Sequence, residues 1–232
     1  MRYRLLGVTV VAATMMTAGW SLAGSLEIGV YGGLNESLSS TGTLSNGVVE
    51  QDYDVDWQGL SFDAPIYYGA NLTLWPDAMP DWGFQLDFTH AKAYADFSDP
   101  DIAADYSRLE FTHGLNLVTA NVLRKWETGQ GLRFYAGGGA GVAVPHVEIE
   151  TRASSIVGDS GTFEYQAAGP ALQGIVGASF EVLDNLRLFG QYKLSYAPIT
   201  AELSDGSSSF STDFVSHHVA AGLSYSFDSS AY

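Results

Sequence analysis

The chain is constrained most by long segments in which apolar and polar residues alternate, because a period of two is typical of a β-strand with one apolar face. Between residues 186 and 196, leucine and tyrosine occupy one face while arginine, glutamine, lysine and serine occupy the other. The pattern predicts eight strands, over residues 26–35, 59–75, 83–95, 108–126, 132–150, 163–182, 186–203 and 211–227.

The connections between these strands are alternately long and short. The long connections are rich in serine, glycine and acids, whereas the turns near 76–82, 127–131 and 183–185 are short. This arrangement is typical of an outer-membrane barrel, in which long connections face outside and short turns face the periplasm. A soluble β-sandwich shares the composition but would bury the apolar face. We therefore predict an all-β fold, an eight-stranded antiparallel transmembrane β-barrel whose interior is filled by side chains.

The first residues resemble an export signal. Arg2 and Arg4 precede an apolar run over residues 5–18, which is too short for a transmembrane helix, and small residues lead to Ala23. We predict a signal peptide over 1–23, cleaved after Ala23, and a barrel over 24–232 located in the outer membrane; a retained anchor helix is the alternative. The chain has no cysteine and a formal net charge of −16, which argues against disulfides and nucleic-acid binding.

All five histidines fall near the end of the barrel that carries the long connections. Pairing arithmetic across residues 96–107 places His90 opposite His113, and arithmetic across 127–131 places His146 near Phe111. Neighbouring residues in a sheet are about 5 Å apart, so such side chains can share a metal ion. Sets of histidine and carboxylate suit iron, copper or zinc. The candidate ligands and their nearby carboxylates are His90, His113, His146, Glu110 and Glu148.

The sequence leaves the direction of these histidines open. His90 and His113 share the parity of the apolar face and point outward unless a bulge intervenes. Pro145 indicates a bulge or edge feature, which leaves the face of His146 open. One alternative is that all five are interfacial residues at the lipid boundary. Another is a hydrolase built on Ser216 with the adjacent His217 and His218, although no third group orients the base.

Charged residues elsewhere have simpler interpretations. Arg187 and Lys193 are expected to pair with inward acids such as Glu27, Asp87 or Glu181 and so neutralise the interior. Acids in the first two long connections are either solvated, or bind Ca²⁺ or Mg²⁺, or share the divalent cations of lipopolysaccharide. These acids are Glu50, Asp52, Asp54, Asp56, Asp96, Asp99, Asp101 and Asp105.

Five short strings resemble those of the outer-membrane lipid A oxidase family. They are residues 31–36 (YGGLNE), 61–65 (SFDAP) with 67–69 (YYG), 87–92 (DFTHAK), 109–112 (LEFT) with 114–116 (GLN), and 144–148 (VPHVE), and the likeness extends more weakly over most of the mature chain. The resemblance implies oxygen-dependent oxidation of the proximal glucosamine of lipid A to 2-aminogluconate, with lipopolysaccharide as the partner and molecular oxygen as the oxidant. Separately, the last strand ends at Phe227 and a short tail leads to Tyr232, an aromatic ending that fits what the outer-membrane assembly machinery is expected to read.

Position and chemistry supply the site residues. Because protein side chains do not readily activate O₂, we expect an unidentified divalent redox metal, held by His90, His113 and His146. Glu110 and Glu148 are the expected catalytic carboxylates, and Lys92 is expected to bind a lipid A phosphate. The alternatives are a non-catalytic barrel that stabilises the membrane or binds a surface partner, and a lipid A deacylase.

Overall fold

The computed structural model describes residues 24–228, so the predicted signal peptide lies outside the described residues. Within this range no helix is long and apolar enough to cross a membrane. The elements in chain order are β1 (Gly24–Ser37), β2 (Ser40–Ser45), β3 (Glu50–Val55), β4 (Trp57–Gln58), β5 (Tyr68–Pro76), β6 (Trp82–Ala91), β7 (Tyr94–Ala95), α1 (Pro100–Asp105), β8 (Tyr106–Glu110), β9 (Leu115–Glu127), β10 (Leu132–Ala143), β11 (His146–Thr151), β12 (Gly161–Tyr165), β13 (Gly169–Leu183), β14 (Leu186–Glu202) and β15 (Ser209–Asp228).

Eight of these strands form a closed wall. In order they are β1, β5, β6, β9, β10, β13, β14 and β15, each antiparallel to the next. β1 also pairs with β15, from Ser25 opposite Asp228 to Ser37 opposite Ser216, and this pairing closes the barrel. A closed barrel leaves no unpaired sheet edge in the wall, which is the condition for β-structure in lipid. The predicted eight-stranded antiparallel barrel is confirmed.

A belt of exposed apolar side chains surrounds the wall. On β13 the outward residues Leu172, Val176 and Phe180 are about half exposed, while Gln173 between them is buried in the lumen. Such a surface is stable against hydrocarbon and not against water. Exposed aromatic residues border the belt at its two ends, as in the aromatic girdles of membrane barrels; they include Tyr68, Trp82, Trp126, Tyr196 and Tyr225.

Polar side chains fill the centre of the lumen. The Nζ atom of the fully buried Lys193 lies 3.0 Å from Asp87 Oδ2 and 2.7 Å from the Tyr31 hydroxyl. Nearer the short turns, Arg187 Nη1 lies 3.1 Å from Glu181 Oε2. The predicted pairing of Arg187 and Lys193 with inward acids is confirmed. Because unpaired buried charges are costly, these contacts stabilise a lumen occupied by protein side chains.

Above the belt, at the end with long connections, the wall continues as a water-exposed extension. β2 and β3 extend it beside β15, and β12, β11, β8, β7 and β4 form a second sheet. Here the polarity is reversed, and a hydrophobic core fills the interior. Trp57 packs on Phe214 with ring centroids 4.8 Å apart, and Phe111 is 5.4 Å from Phe214. The reversal follows from the surroundings, because water replaces lipid outside this part of the wall.

Three details differ from the sequence prediction. The predicted strands over 83–95, 108–126, 132–150 and 163–182 are each divided into two, as β6 and β7, β8 and β9, β10 and β11, and β12 and β13. The second wall strand begins at Tyr68 and not at residue 59, because residues 59–67 form a turning segment buttressed by β1. The long connections also contain structure: strands β2 to β4 lie within 36–58, and helix α1 lies within 96–107. The three short turns are as predicted.

Candidate functional site

A cluster of polar residues faces outward directly above the apolar belt, where neighbouring wall strands are interrupted. The interruptions fall at residues 92–93, 111–114 and 144–145. Pro145 has no N–H to donate, and Gly114 adopts φ +127, a conformation that favours glycine. A Cβ at Gly114 would also lie 2.7 Å from the His90 ring. The chain therefore leaves the regular ladder here and re-enters it one short segment later.

Successive side chains on β11 and β8 point alternately into the barrel and out of it, and this alternation shows which way the cluster faces. Val147 and Ile149 are fully buried in the hydrophobic core of the extension, so His146 and Glu148, which alternate with them, face the outside of the wall. On β8 the buried Leu109 faces inward, and Glu110 faces outward. The cluster consequently lies on the outer surface of the barrel and not in its lumen.

Glu148 is the centre of the cluster. Its side chain is only 1% exposed. Its Oε1 atom accepts a hydrogen bond from the His113 backbone N–H at 3.1 Å, contacts the His113 ring Nδ1, and lies 3.2 Å from His146 Nδ1. The Arg108 guanidinium donates to Oε2 at 3.3 Å. Burial alone would raise the pKa of Glu148, but the hydrogen bonds from His113 outweigh it and lower the pKa.

A second carboxylate lies beside the first. Glu110 is directly opposite Glu148 in the β8–β11 ladder, and its Oε1 is 3.6 Å from Arg108 Nε. Burial and the neighbouring Glu148 charge raise the pKa of Glu110. Arg108 also lies 4.0 Å from Glu150. Three carboxylates therefore surround one guanidinium, an excess of negative charge that favours a bound cation.

Three ligand atoms converge within this cluster. One atom each from His113, His146 and Glu148 lie within 4.8 Å of one another. The His113 side chain is 55% exposed, so the set is open to the outside. Two aromatic rings frame it on the β12 side: Phe163 and Tyr165 both approach the His146 ring edge-on, at 4.6 and 4.7 Å between centroids. Two imidazoles and one carboxylate with an open side suit a redox-active divalent metal.

Solved structures similar to this chain are outer-membrane barrels. The outer membrane protein OprG from Pseudomonas aeruginosa matches with a TM-score of 0.55 and 12% identity, over 89% of this chain and 97% of that one. The protein has the fold of an outer-membrane β-barrel. Neisserial surface protein A matches with a TM-score of 0.49 and 14% identity over 88% and 99%, and outer membrane protein AlkL with 0.48 and 15% over 93% and 95%.

These likenesses concern the fold alone, because the identities are low. No protein-family model matches the chain, and no curated protein matches it in sequence. The lipid A oxidase resemblance therefore stays a prediction, and the chemistry of this outer-membrane barrel has to be argued from its own residues.

The structure separates His90 from the other two predicted ligands. His90 pairs with Asn116 and not with His113, so the predicted register across residues 96–107 is wrong. Its ring stacks on Tyr68 at 4.6 Å, and its Nδ1 is 2.9 Å from Asn116 Oδ1. The cause is the interruption at 111–114, which adds residues that simple pairing arithmetic omits.

Lys92 lies at the edge of the cluster. It is 2% exposed, and its Nζ atom donates to the Asp63 carbonyl at 2.8 Å. Burial lowers the pKa of Lys92. The exposed cation nearest the ligand atoms is instead Arg108, whose side chain is 39% exposed. Sequence reasoning missed Arg108, although the same arithmetic that pairs Glu110 with Glu148 places it opposite Glu150.

The remaining histidines form no common site. His218 is buried in the lumen and hydrogen-bonds Ser195 Oγ at 2.8 Å, whereas the Nδ1 of His217 lies 2.5 Å from the Tyr192 hydroxyl. Ser216 Oγ contacts Ser37 Oγ at 2.6 Å. The structure thus does not assemble the Ser216-based hydrolase considered above.

Proposed function

We propose that this outer-membrane barrel is a lipid A-modifying oxidase, which oxidises the proximal glucosamine of lipid A to 2-aminogluconate with O₂ as the oxidant. One observation carries the proposal: His113, His146 and Glu148 converge on the outer wall, directly above the apolar belt. Lipid headgroups lie at that depth, so a sugar held by its acyl chains in the outer leaflet is presented to these side chains.

The reaction removes two electrons and two protons from the proximal sugar. The C1 hydroxyl becomes the carbonyl of a lactone, and O₂ takes up the electrons and protons to give hydrogen peroxide. Water then opens the lactone to the acid, so the product carries one oxygen atom more than the substrate. The substrate must have a free C1 hydroxyl, because a C1 phosphate blocks the first step.

A metal ion held by His113, His146 and Glu148 would supply O₂ binding and electron transfer, which side chains alone do not provide. Two histidines with one carboxylate form the ligand set typical of non-haem Fe(II) oxygenases, and we propose Fe(II) for this site. Glu110, which is paired with Glu148 in the β8–β11 ladder, would in its ionised form accept the proton of the C1 hydroxyl. Arg108 is the cation at the cluster that is available to anionic groups of the lipid, whereas Lys92 is buried and donates to the Asp63 carbonyl.

The lumen is filled by side chains, which favours a reaction on the outer surface of the barrel over the passage of solutes through it. Lys193, Asp87 and Tyr31 occupy its centre, and aromatic side chains including Phe111 and Phe214 fill the extension above. A pore would need polar, water-filled space along this axis. The candidate ligands instead lie on the outer face of the wall, directly above the apolar belt.

The experiment is mass spectrometry of lipid A from a Gram-negative host whose lipid A has a free C1 hydroxyl, expressing the chain with and without air. We expect a gain of one oxygen mass on the proximal sugar, in air only, and its loss in Glu148→Gln. The matched control is His217→Ala, a histidine outside the cluster, which should retain activity. Loss of an acyl chain would replace the proposal with a deacylase. Unchanged lipid A with a correctly inserted barrel would indicate a non-catalytic protein.

A further inference from the structure

An apolar surface rises above the belt beside the polar cluster. In residues 59–67, Ser61 and Tyr67 are buried against the wall, while Leu60, Phe62 and Ile66 are exposed. Phe62 is 79% exposed and Ile66 55%. Large apolar side chains with that exposure are unfavourable in water and indicate a contact surface.

This surface is continuous with the lipid-facing belt. Tyr68 is paired with Gly32 at the upper end of the β1–β5 ladder, and the next outward residues above that pair are Leu34 on β1 and Ile66 on the turning segment. Leu34 is 44% exposed. We define the apolar shoulder as the outward side chains Leu34, Leu60, Phe62 and Ile66.

The apolar shoulder is held firmly against the wall. The Asn35 backbone N–H donates to Ser61 Oγ at 2.8 Å, and the Tyr67 N–H donates to the Ser61 carbonyl at 2.9 Å. Lys92 donates to the Asp63 carbonyl at 2.8 Å from the other side. Ties to both neighbouring strands fix the segment, so Phe62 and Ile66 stay on the outer face.

At the same end of the barrel, the outward residues of other strands are polar, unlike those of the apolar shoulder. Above the belt, the outward residues on β8 and β11 are charged or histidine, and those at the upper ends of β14 and β15 include Glu202 and Asp213. The polar cluster is therefore bordered on one side by the apolar shoulder and on the other by the exposed rings of Phe163 and Tyr165. A polar patch between two apolar borders matches a lipid that has a polar head and several acyl chains.

We propose that the apolar shoulder is a lipid-binding surface that takes an acyl chain of the outer-leaflet lipid whose headgroup lies on the polar cluster. The contact with an acyl chain is inferred from the exposure of the apolar shoulder and its continuity with the belt. Only the identity of the headgroup rests on the proposed function. Such a contact would restrict the lateral movement of the lipid in the membrane and hold its sugar beside His113 and His146.

Site-directed spin labelling tests this directly, because the chain has no native cysteine. Phe62→Cys and Ile66→Cys would each be labelled with a nitroxide in phosphatidylcholine vesicles, and accessibility to O₂ and to a water-soluble nickel chelate measured. Leu172→Cys, in the belt, is the lipid control. Val48→Cys, 92% exposed between β2 and β3, is the water control. We expect labels at 62 and 66 to behave like Leu172→Cys; behaviour like Val48→Cys would overturn the proposal.

A kinetic arm separates this proposal from the proposed function. If the barrel oxidises lipid A, the double variant Phe62→Ser/Ile66→Ser should raise KM several-fold and leave kcat unchanged, with Val48→Ser as the control. An unchanged KM would contradict the role in substrate binding. If the labels lie in lipid but no oxidation occurs in any variant, the lipid-binding surface holds and the oxidase proposal fails.

Discussion

Glu110 lies directly opposite Glu148 across the β8–β11 ladder, so two carboxylates face outward side by side above the membrane belt. Like charges on paired residues of a sheet destabilise it unless other groups compensate. Here the compensation is unequal. His113 hydrogen-bonds Glu148 and lowers its pKa, while burial and the charge on Glu148 raise the pKa of Glu110. Glu110 is therefore the carboxyl group of the pair that ionises less readily.

This asymmetry predicts how stability depends on pH in the metal-free protein. A raised pKa means that Glu110 is ionised less readily in the folded state, so wild-type stability is lost as pH rises from about 4.3 through the folded pKa of Glu110. Glu110→Gln removes that loss, and its advantage over wild type should grow across this interval and then level off. The measurement is urea unfolding from vesicles with chelator present. Glu150→Gln, more than half exposed, is the control; equal pH profiles for both variants would contradict the prediction.

Metal binding should distinguish the ligands. Glu148→Gln and His113→Ala should each weaken Fe(II) binding by at least about 10–100-fold, the range found even for groups that only support ligands. His90→Ala should bind Fe(II) like wild type, because its ring stacks on Tyr68 and faces Asn116. Equilibrium dialysis under argon makes the comparison. An equal loss in His90→Ala would instead favour the three-histidine set expected from the sequence.

Much of the fold was predictable because apolar and polar residues alternate regularly along the membrane-spanning part of each wall strand. The lipid-facing and lumen-facing sets were separable wherever large apolar residues alternate with polar ones, as at Leu172, Gln173 and Val176. The arithmetic across 127–131 also gave the pairing of Glu110 with Glu148. The β9–β10 ladder itself is shifted by two residues from that arithmetic, and the unequal interruptions at 111–114 and 144–145 restore the predicted register above it.

The site was less predictable because it lies where parity and pairing are interrupted. Arithmetic from the loop at 96–107 placed His90 opposite His113, but the turn ending in Gly114 moves the partner of His90 to Asn116. Nothing local in the sequence fixes the length of that turn. The same limit applies to residues 59–67, whose alternation resembles a strand although hydrogen bonds to Asn35 hold them as a turning segment.

Gly114 itself provides a test of how the interruption positions the ligands. Gly114→Ala places a side chain at φ +127 and 2.6 Å from Asn116 Oδ1, so the turn must shift. We expect a loss of about 1–3 kcal/mol in the free energy of unfolding and weaker Fe(II) binding, because His113 precedes this residue. Gly129→Ala is the matched control: it also has positive φ but has open space and lies at the far end. Equal metal affinity in both variants would show that the turn does not position His113.

The lumen network should matter for stability and not for catalysis. Lys193 is fully buried and paired with Asp87 at 3.0 Å, so Lys193→Met alone leaves a buried carboxylate without its partner. Breaking a buried pair in this way costs about 3–5 kcal/mol, whereas replacing both partners by apolar residues is often neutral. The double variant Lys193→Met/Asp87→Leu should therefore recover most of the lost unfolding free energy, measured in urea from vesicles, and both variants should retain oxidase activity when inserted. If Lys193→Met alone were as stable as wild type, the hydrogen bonds that Tyr31 and Thr89 donate to Asp87 would be sufficient to stabilise the buried carboxylate without the lysine.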